Sequence, residues 1–171
     1  MKKFLALAAA FALVASTAQA QAASTTANPG SLNTSAIVTV PTILLLSIND
    51  SSTNIAAPVQ ADFDNGFQDA AATVVATVKS NKAWSLTIKG GAAVWTGTGG
   101  ASATKVVGDL HWSTTGPGAG TAMTTSAATI ASSASGTASS VTTVNYRILW
   151  SYATDTPGTY TLPVVFTAAA P

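Results

Sequence analysis

From Ala83 to Lys89 the chain alternates strictly: Trp84, Leu86 and Ile88 are separated by Ser85, Thr87 and Lys89. A period of two puts one set of side chains on a buried face and the other in water, the pattern of a half-buried β-strand. Gly90-Gly91 ends the run. The same pattern recurs. Ala72 to Lys79 places Val74 and Val78 among small residues, and Ser139 to Trp150 carries Val144, Tyr146, Ile148 and Trp150 on one face. Tyr160 to Thr167 sets Tyr160, Leu162, Val164 and Phe166 against Thr161, Pro163, Val165 and Thr167. Val106 to Trp112, Ala127 to Ser132 and Ile37 to Ile48 are further candidate strands. Pro41 lacks the N–H a ladder needs, so the strand over 37–48 is expected to bend or change sheets there. Pro163 argues likewise for an edge position or a local break.

Gly, Pro, Asn, Asp and Ser clusters punctuate these runs. Ser80-Asn81-Lys82 has hairpin length, so the spacing predicts that the strands on either side pair. A turn near Ser135-Gly136 predicts the same for 127–132 and 139–150. Ser113 to Gly120 is a loop, and Asp155-Thr156-Pro157-Gly158 is a turn signal. The Ser/Thr/Ala/Gly-rich stretch from Thr114 to Thr143 reads as weak strands with long loops, the alternative being a low-complexity linker. No segment after the leader shows a helical period with caps, and the density of Val, Ile, Thr and Gly disfavours helix interiors. The expected fold is all-β, an immunoglobulin-like antiparallel β-sandwich, with Trp84 and Trp150 central in its core. A more open jelly roll is the alternative.

The N-terminus bounds where such a domain works. Lys2 and Lys3 precede Phe4 to Val14, an apolar run free of charge and proline, and Ala18-Gln19-Ala20 follows as a small-x-small cleavage site. This is the order of a secretion signal. The run is shorter than the roughly 20 residues a bilayer span needs, and no second such run follows, so no transmembrane segment is expected in the mature chain. The expected organisation is a signal peptide over 1–20, a flexible leader over 21–33 and a β-sandwich domain over 34–171. Export to the periplasm, cell surface or exterior follows.

Charge then narrows the partners. Without Lys2 and Lys3, five basic side chains (Lys79, Lys82, Lys89, Lys105, Arg147) face six aspartates, a net charge of −1, and glutamate is absent. That balance gives no electrostatic footprint for nucleic acid. There is no cysteine, so neither disulfides nor a lipidated N-terminal cysteine are available.

Two W-x-L-like motifs stand in the chain. Trp84-Ser85-Leu86 is literal, and Tyr146-Arg147-Ile148-Leu149-Trp150-Ser151-Tyr152 approximates a terminal Y-x-x-x-W-x-L, with Tyr152 in the place of leucine. In these residues, and in Asp155-Thr156-Pro157 after them, the chain resembles the WxL domain of bacterial cell-surface proteins. The resemblance implies non-covalent association with the cell wall and assembly into surface complexes. The chain departs from that pattern by continuing through a further strand to Phe166, more like secreted immunoglobulin-like and pilin-like domains.

Chemistry-bearing constellations are few. Asp62, Asp64 and Asp69, in DFDNGFQD, supply hard oxygens of the kind calcium takes, without EF-hand spacing. The bland reading is an Asx/Gly turn with Phe63 and Phe67 tucked inward. His111 is the single histidine, two residues from Asp109, with no Gly-x-Ser-x-Gly elbow nearby, and it reads as a strand-surface residue. No catalytic residues and no cofactor are expected. Trp95 and Trp112 sit beside glycine-rich loops and are the candidate ligand-binding residues, stacking on a sugar; the alternative is that they cap one end of the sandwich. Three functions follow as expectations. The first is a non-enzymatic structural or adhesive surface protein. The second is a pilin-like fibre subunit whose segment Ala36 to Ile48 adds to a neighbour's sheet. The third is a glycan-binding module. The expected partners are accordingly a cell-wall or surface glycan, or a second copy.

Overall fold

The computed structural model describes residues 34–50 and 53–171. The expected signal peptide over 1–20 and leader over 21–33 lie outside the described residues. The compact unit begins at Thr39. It is built almost wholly of antiparallel strands. In one sheet the order is β1 (Leu44–Ile48), β3 (Val74–Ser80), β9 (Thr137–Leu149), β6 (Leu110–Ser113), β7 (Thr121–Ala122), and β2 (Phe67–Asp69) pairs with the far half of β9. In the other, β11 (Val164–Ala169), β4 (Trp84–Gly90) and β8 (Ala128–Ser133) pair in that order. A small ribbon joins β5 (Thr96–Thr98) to β10 (Thr159–Thr161).

The alternation read from the sequence becomes the core. Val74, Ala76 and Val78 of β3 and Trp84, Leu86 and Ile88 of β4 are all buried. Ala76 and Val78 pack with Trp84 and Leu86 in one cluster. Val74, Val144, Tyr146, Ile148 and Leu110 of the first sheet pack with Ile88 of the second in the other. The two sheets therefore bury their faces against each other, a sandwich-like arrangement. Trp84 is central as expected; Trp150 is half-buried at the margin of the larger cluster.

Two expected hairpins do not form. β3 pairs with β1 and β9, whereas β4 pairs with β11 and β8. β8 and β9 likewise lie in different sheets. Each short connection crosses from one layer to the other instead of closing a ladder. The reason is burial: a hairpin would leave both apolar rows on one sheet face, while crossing sets them face to face across the core. Local contacts hold the first crossing. Ser80 Oγ accepts from the Lys82 N–H and donates to the Lys82 carbonyl. The second crossing packs against the first. A Cβ on Gly136 would lie 2.8 Å from the Asn81 carbonyl carbon, so only glycine fits there.

Proline and helix expectations have mixed outcomes. The chain over 34–43 is exposed and without assigned strand; β1 begins only at Leu44, after Pro41. Pro163 divides the last run into β10 and β11, and β11 is an edge strand paired only with β4. One short helix, α1 (Gln60–Asn65), occurs where no helix was expected. The Asp62 carboxylate accepts from the Val59 N–H at 2.8 Å, satisfying an N-terminal donor, and Gly66 ends the helix at φ +77°. The D-x-D-N-G motif is thus a capped helical turn.

Candidate functional site

The flank between the 53–58 segment and the β10–β11 strands holds a cleft of about 920 Å³. Its walls come from both layers: Ile48, Val74, Leu110 and Tyr146 from the first sheet, Val164 and Phe166 from the second, with Ile55, Tyr160, Leu162 and Pro163 at the rim. The lining is apolar and aromatic because these are the inward positions of alternating strands where the sheets separate. Asp50, Asn54, Thr159 and Thr161 supply the polar groups.

Two of the cleft's aromatic residues, Trp150 and Tyr160, rest against a buried cation. Lys105 is 2% exposed. Its ammonium donates to the Leu149 carbonyl at 2.6 Å and to both Asp155 carboxylate oxygens at 3.1 Å. The nitrogen lies 4.3 Å from the Trp150 ring centroid and 5.8 Å from that of Tyr160. Trp150 and Tyr160 meet edge-to-face at 6.0 Å. Asp155 also accepts from the Ser151 N–H at 2.8 Å. The charge is therefore paired, hydrogen-bonded and set against aromatic faces, which is what a buried lysine requires. Tyr160 fixes the adjoining turns: its hydroxyl donates to the Thr156 carbonyl and accepts from the Ser102 N–H.

Burial pushes the Tyr146 phenol well above its ordinary range. On the outer face, Arg147 grips Asp69 through Nε at 2.7 Å and through its second guanidinium nitrogen at 2.8 Å. That pairing, with a further backbone hydrogen bond from Gly118, holds the Asp69 carboxyl below its usual value and raises the guanidinium's.

The candidate residues from the sequence are dispersed. Trp95 is buried, donates its indole N–H to the Val106 carbonyl at 3.0 Å, and forms part of the cleft wall. Trp112 is half-buried on β6, packed against the larger cluster, and is not among the cleft residues. The two do not make one surface. Asp62 caps α1, Asp64 accepts from the Tyr152 hydroxyl at 3.0 Å, and Asp69 is held by Arg147. Among the described residues no three carboxylate or histidine groups gather as a metal site. Phe63 stacks on Tyr152 at 4.9 Å and meets Trp150 at 5.7 Å, so the second W-x-L-like motif serves to seat α1. Asp109 caps the 3-10 turn Val107–Asp109 through the Val106 N–H, and His111 Nδ1 contacts the Ala119 carbonyl at 2.5 Å.

Sequence reasoning missed Lys105 and Asp155 as a pair. A lysine between Thr104 and Val106 carries no signal of burial, since partners 50 positions apart are joined only by the fold.

A second feature lies ahead of β1. Ile37, Val38 and Val40 are 91%, 85% and 69% exposed, and Ile43 is also exposed. Asn81 holds the chain at the end of this stretch: its side chain accepts from the Ile43 N–H and donates to the Pro41 carbonyl, and its backbone N–H donates to the Ile43 carbonyl. No helix among the described residues is long and apolar enough to cross a membrane. Comparison with protein-family models, with curated proteins and with solved structures finds no match for this chain.

Proposed function

We propose that this chain is an exported, non-enzymatic structural or adhesive protein, an immunoglobulin-like sandwich that acts at or near the cell surface through apolar surface and strand edges. The observation that carries the reading is the exposed run Ala36 to Val40. Four consecutive β-branched residues, Ile37-Val38-Thr39-Val40, favour extended backbone yet pair in no sheet among the described residues. An exposed apolar row of this kind marks an interaction surface. The lysine pair, apolar run and Ala18-Gln19-Ala20 at the N-terminus support export. The wall association implied by the WxL resemblance belongs to the same reading. The exposed run also favours a fibre subunit built by strand addition over a glycan-binding module, because strand addition draws on backbone edges and alternate apolar side chains.

Fractionation of cells producing the chain tests the proposal. The expected result is a chain shortened at its N-terminus and recovered outside the cytoplasm. An unprocessed chain confined to the cytoplasm overturns it.

A further inference from the structure

We propose that residues 35–40 of one copy add as a strand in the flank cleft of a second copy, so that copies join head to tail. The inference rests on the structural reading above and names its partner as another molecule of the same chain. Three observations carry it.

The donor has no strand partner among the described residues and is of the right chemistry. Residues 34–43 are exposed throughout, uncharged and rich in β-branched side chains. Period two puts Ala36, Val38 and Val40 on one face, a continuous apolar row. Pro41 and the Asn81 clamp fix the point at which this segment leaves its own domain.

The acceptor is apolar and has an edge to offer. The cleft is walled by Ile55, Leu110, Tyr146, Trp150, Leu162 and Phe166, and its volume of about 920 Å³ is at the upper end of that of ordinary ligand sites. β11 borders it through Val164 and Phe166 and pairs with β4 along one side only; β1 of the same copy lies near its other edge but forms no ladder with it, so that edge has no strand partner among the described residues. An entering strand would gain both ladder hydrogen bonds and burial of alternate side chains, the two components of β-augmentation.

Both partners are uncharged where they would meet, apart from Asp50 in the cleft lining. An uncharged apolar row entering a cleft whose polar lining is mostly uncharged threonine and asparagine needs no charged counterpart. Every copy carries one donor segment and one acceptor cleft made of different residues, so the contact is heterologous and propagates rather than closing on a two-fold axis.

The absence of native cysteine makes the test direct. Full-length Val38→Cys and Leu162→Cys variants, each retaining its own export signal, are mixed in equal amounts after purification and mildly oxidised. A Thr129→Cys variant, at an exposed position of β8, is the control partner. Val38→Asp, examined by light scattering and negative-stain imaging, is the companion measurement; its site is 85% exposed, so the substitution leaves folding intact. The inference expects a disulfide between Val38→Cys and Leu162→Cys, none with the control, and loss of higher-order species in Val38→Asp. Cross-linking to the control as strong as to Leu162→Cys, assemblies that persist in Val38→Asp, or a wild-type chain that stays monomeric overturns it. Export of a strictly monomeric chain would overturn this inference and leave the surface reading standing, whereas retention in the cytoplasm would remove the reading itself.

Discussion

The two core clusters hold their sheets together by different means. Around Trp84 the contact is wholly apolar: Ala76, Val78, Trp84 and Leu86 are almost without exposure, and Leu44, Leu46 and Ala168 close over them. β1 and β11, the edge strands of the two sheets, approach each other there. Beside Lys105 the larger cluster borders a cleft, and a buried ion pair lies behind the aromatic residues Trp150 and Tyr160 that line it. The difference teaches that this fold spends its close packing at one end and leaves a shaped, apolar hollow at the other. A core that needs only stability has no use for a buried charge, since a well-packed hydrophobic substitute is commonly as stable.

Replacement of Trp84 tests the closed end and carries the largest expected effect. Trp84→Ala should cost about 3–5 kcal/mol in chemical denaturation, the range for emptying a buried aromatic site. Trp84→Phe should cost far less. The Trp84 indole N–H has no hydrogen-bond partner among the described residues, so removing it relieves a burial penalty that offsets part of the lost volume. Equal losses for Ala and Phe would show that the indole N–H is satisfied in solution.

Lys105 tests the open end. Lys105→Met should cost about 3 kcal/mol, because it leaves the Asp155 carboxylate buried without its cation. Adding Asp155→Leu should recover most of that loss, the signature of a pair whose single deletions hurt more than its joint removal. If both variants were as stable as the parent, the ion pair would play no part in holding the open end.

The smallest effect lies on the outer face, away from both ends. Asp69 is a third exposed, so its bond to Arg147 is worth under about 1 kcal/mol once solvent screening is allowed for. Its folded carboxyl titrates below the ordinary 3.8. The unfolded chain therefore binds its proton first as pH falls, and the contribution is full above about pH 4 and lost as pH drops through the folded value. Asp69→Asn should flatten the acid limb of a stability-against-pH curve and leave the neutral region nearly unchanged. An unaltered acid limb would show that the pair is absent in solution.

Much of the architecture could be read in the residues because the relevant physics is local. Trp84 to Ile88 and Val74 to Val78 declare their buried faces by period alone, and Pro163 announces the break between β10 and β11. Pairing could not be read in the same way. Ser80-Asn81-Lys82 and Ser135-Gly136 are as short as hairpin turns, and only the opposing sheet decides whether the strands lie beside each other or across the core. The site shows the same division. Trp95 and Trp112 were equivalent as sequence, each beside glycine, and the fold made one a cleft wall and left the other on β6, outside the cleft.

What the sequence by itself determined is the strand class, the positions of the buried faces, the near-neutral charge and the uncharged β-branched run before Pro41. These follow from side-chain chemistry and a period of two, which need no partner to be read. What only the tertiary structure decided is which strands share a sheet, that Lys105 meets Asp155, and that a cleft opens beside β11. Those are relations between residues far apart in the chain, fixed when two apolar faces close on each other and the buried polar groups must find partners in whatever space remains.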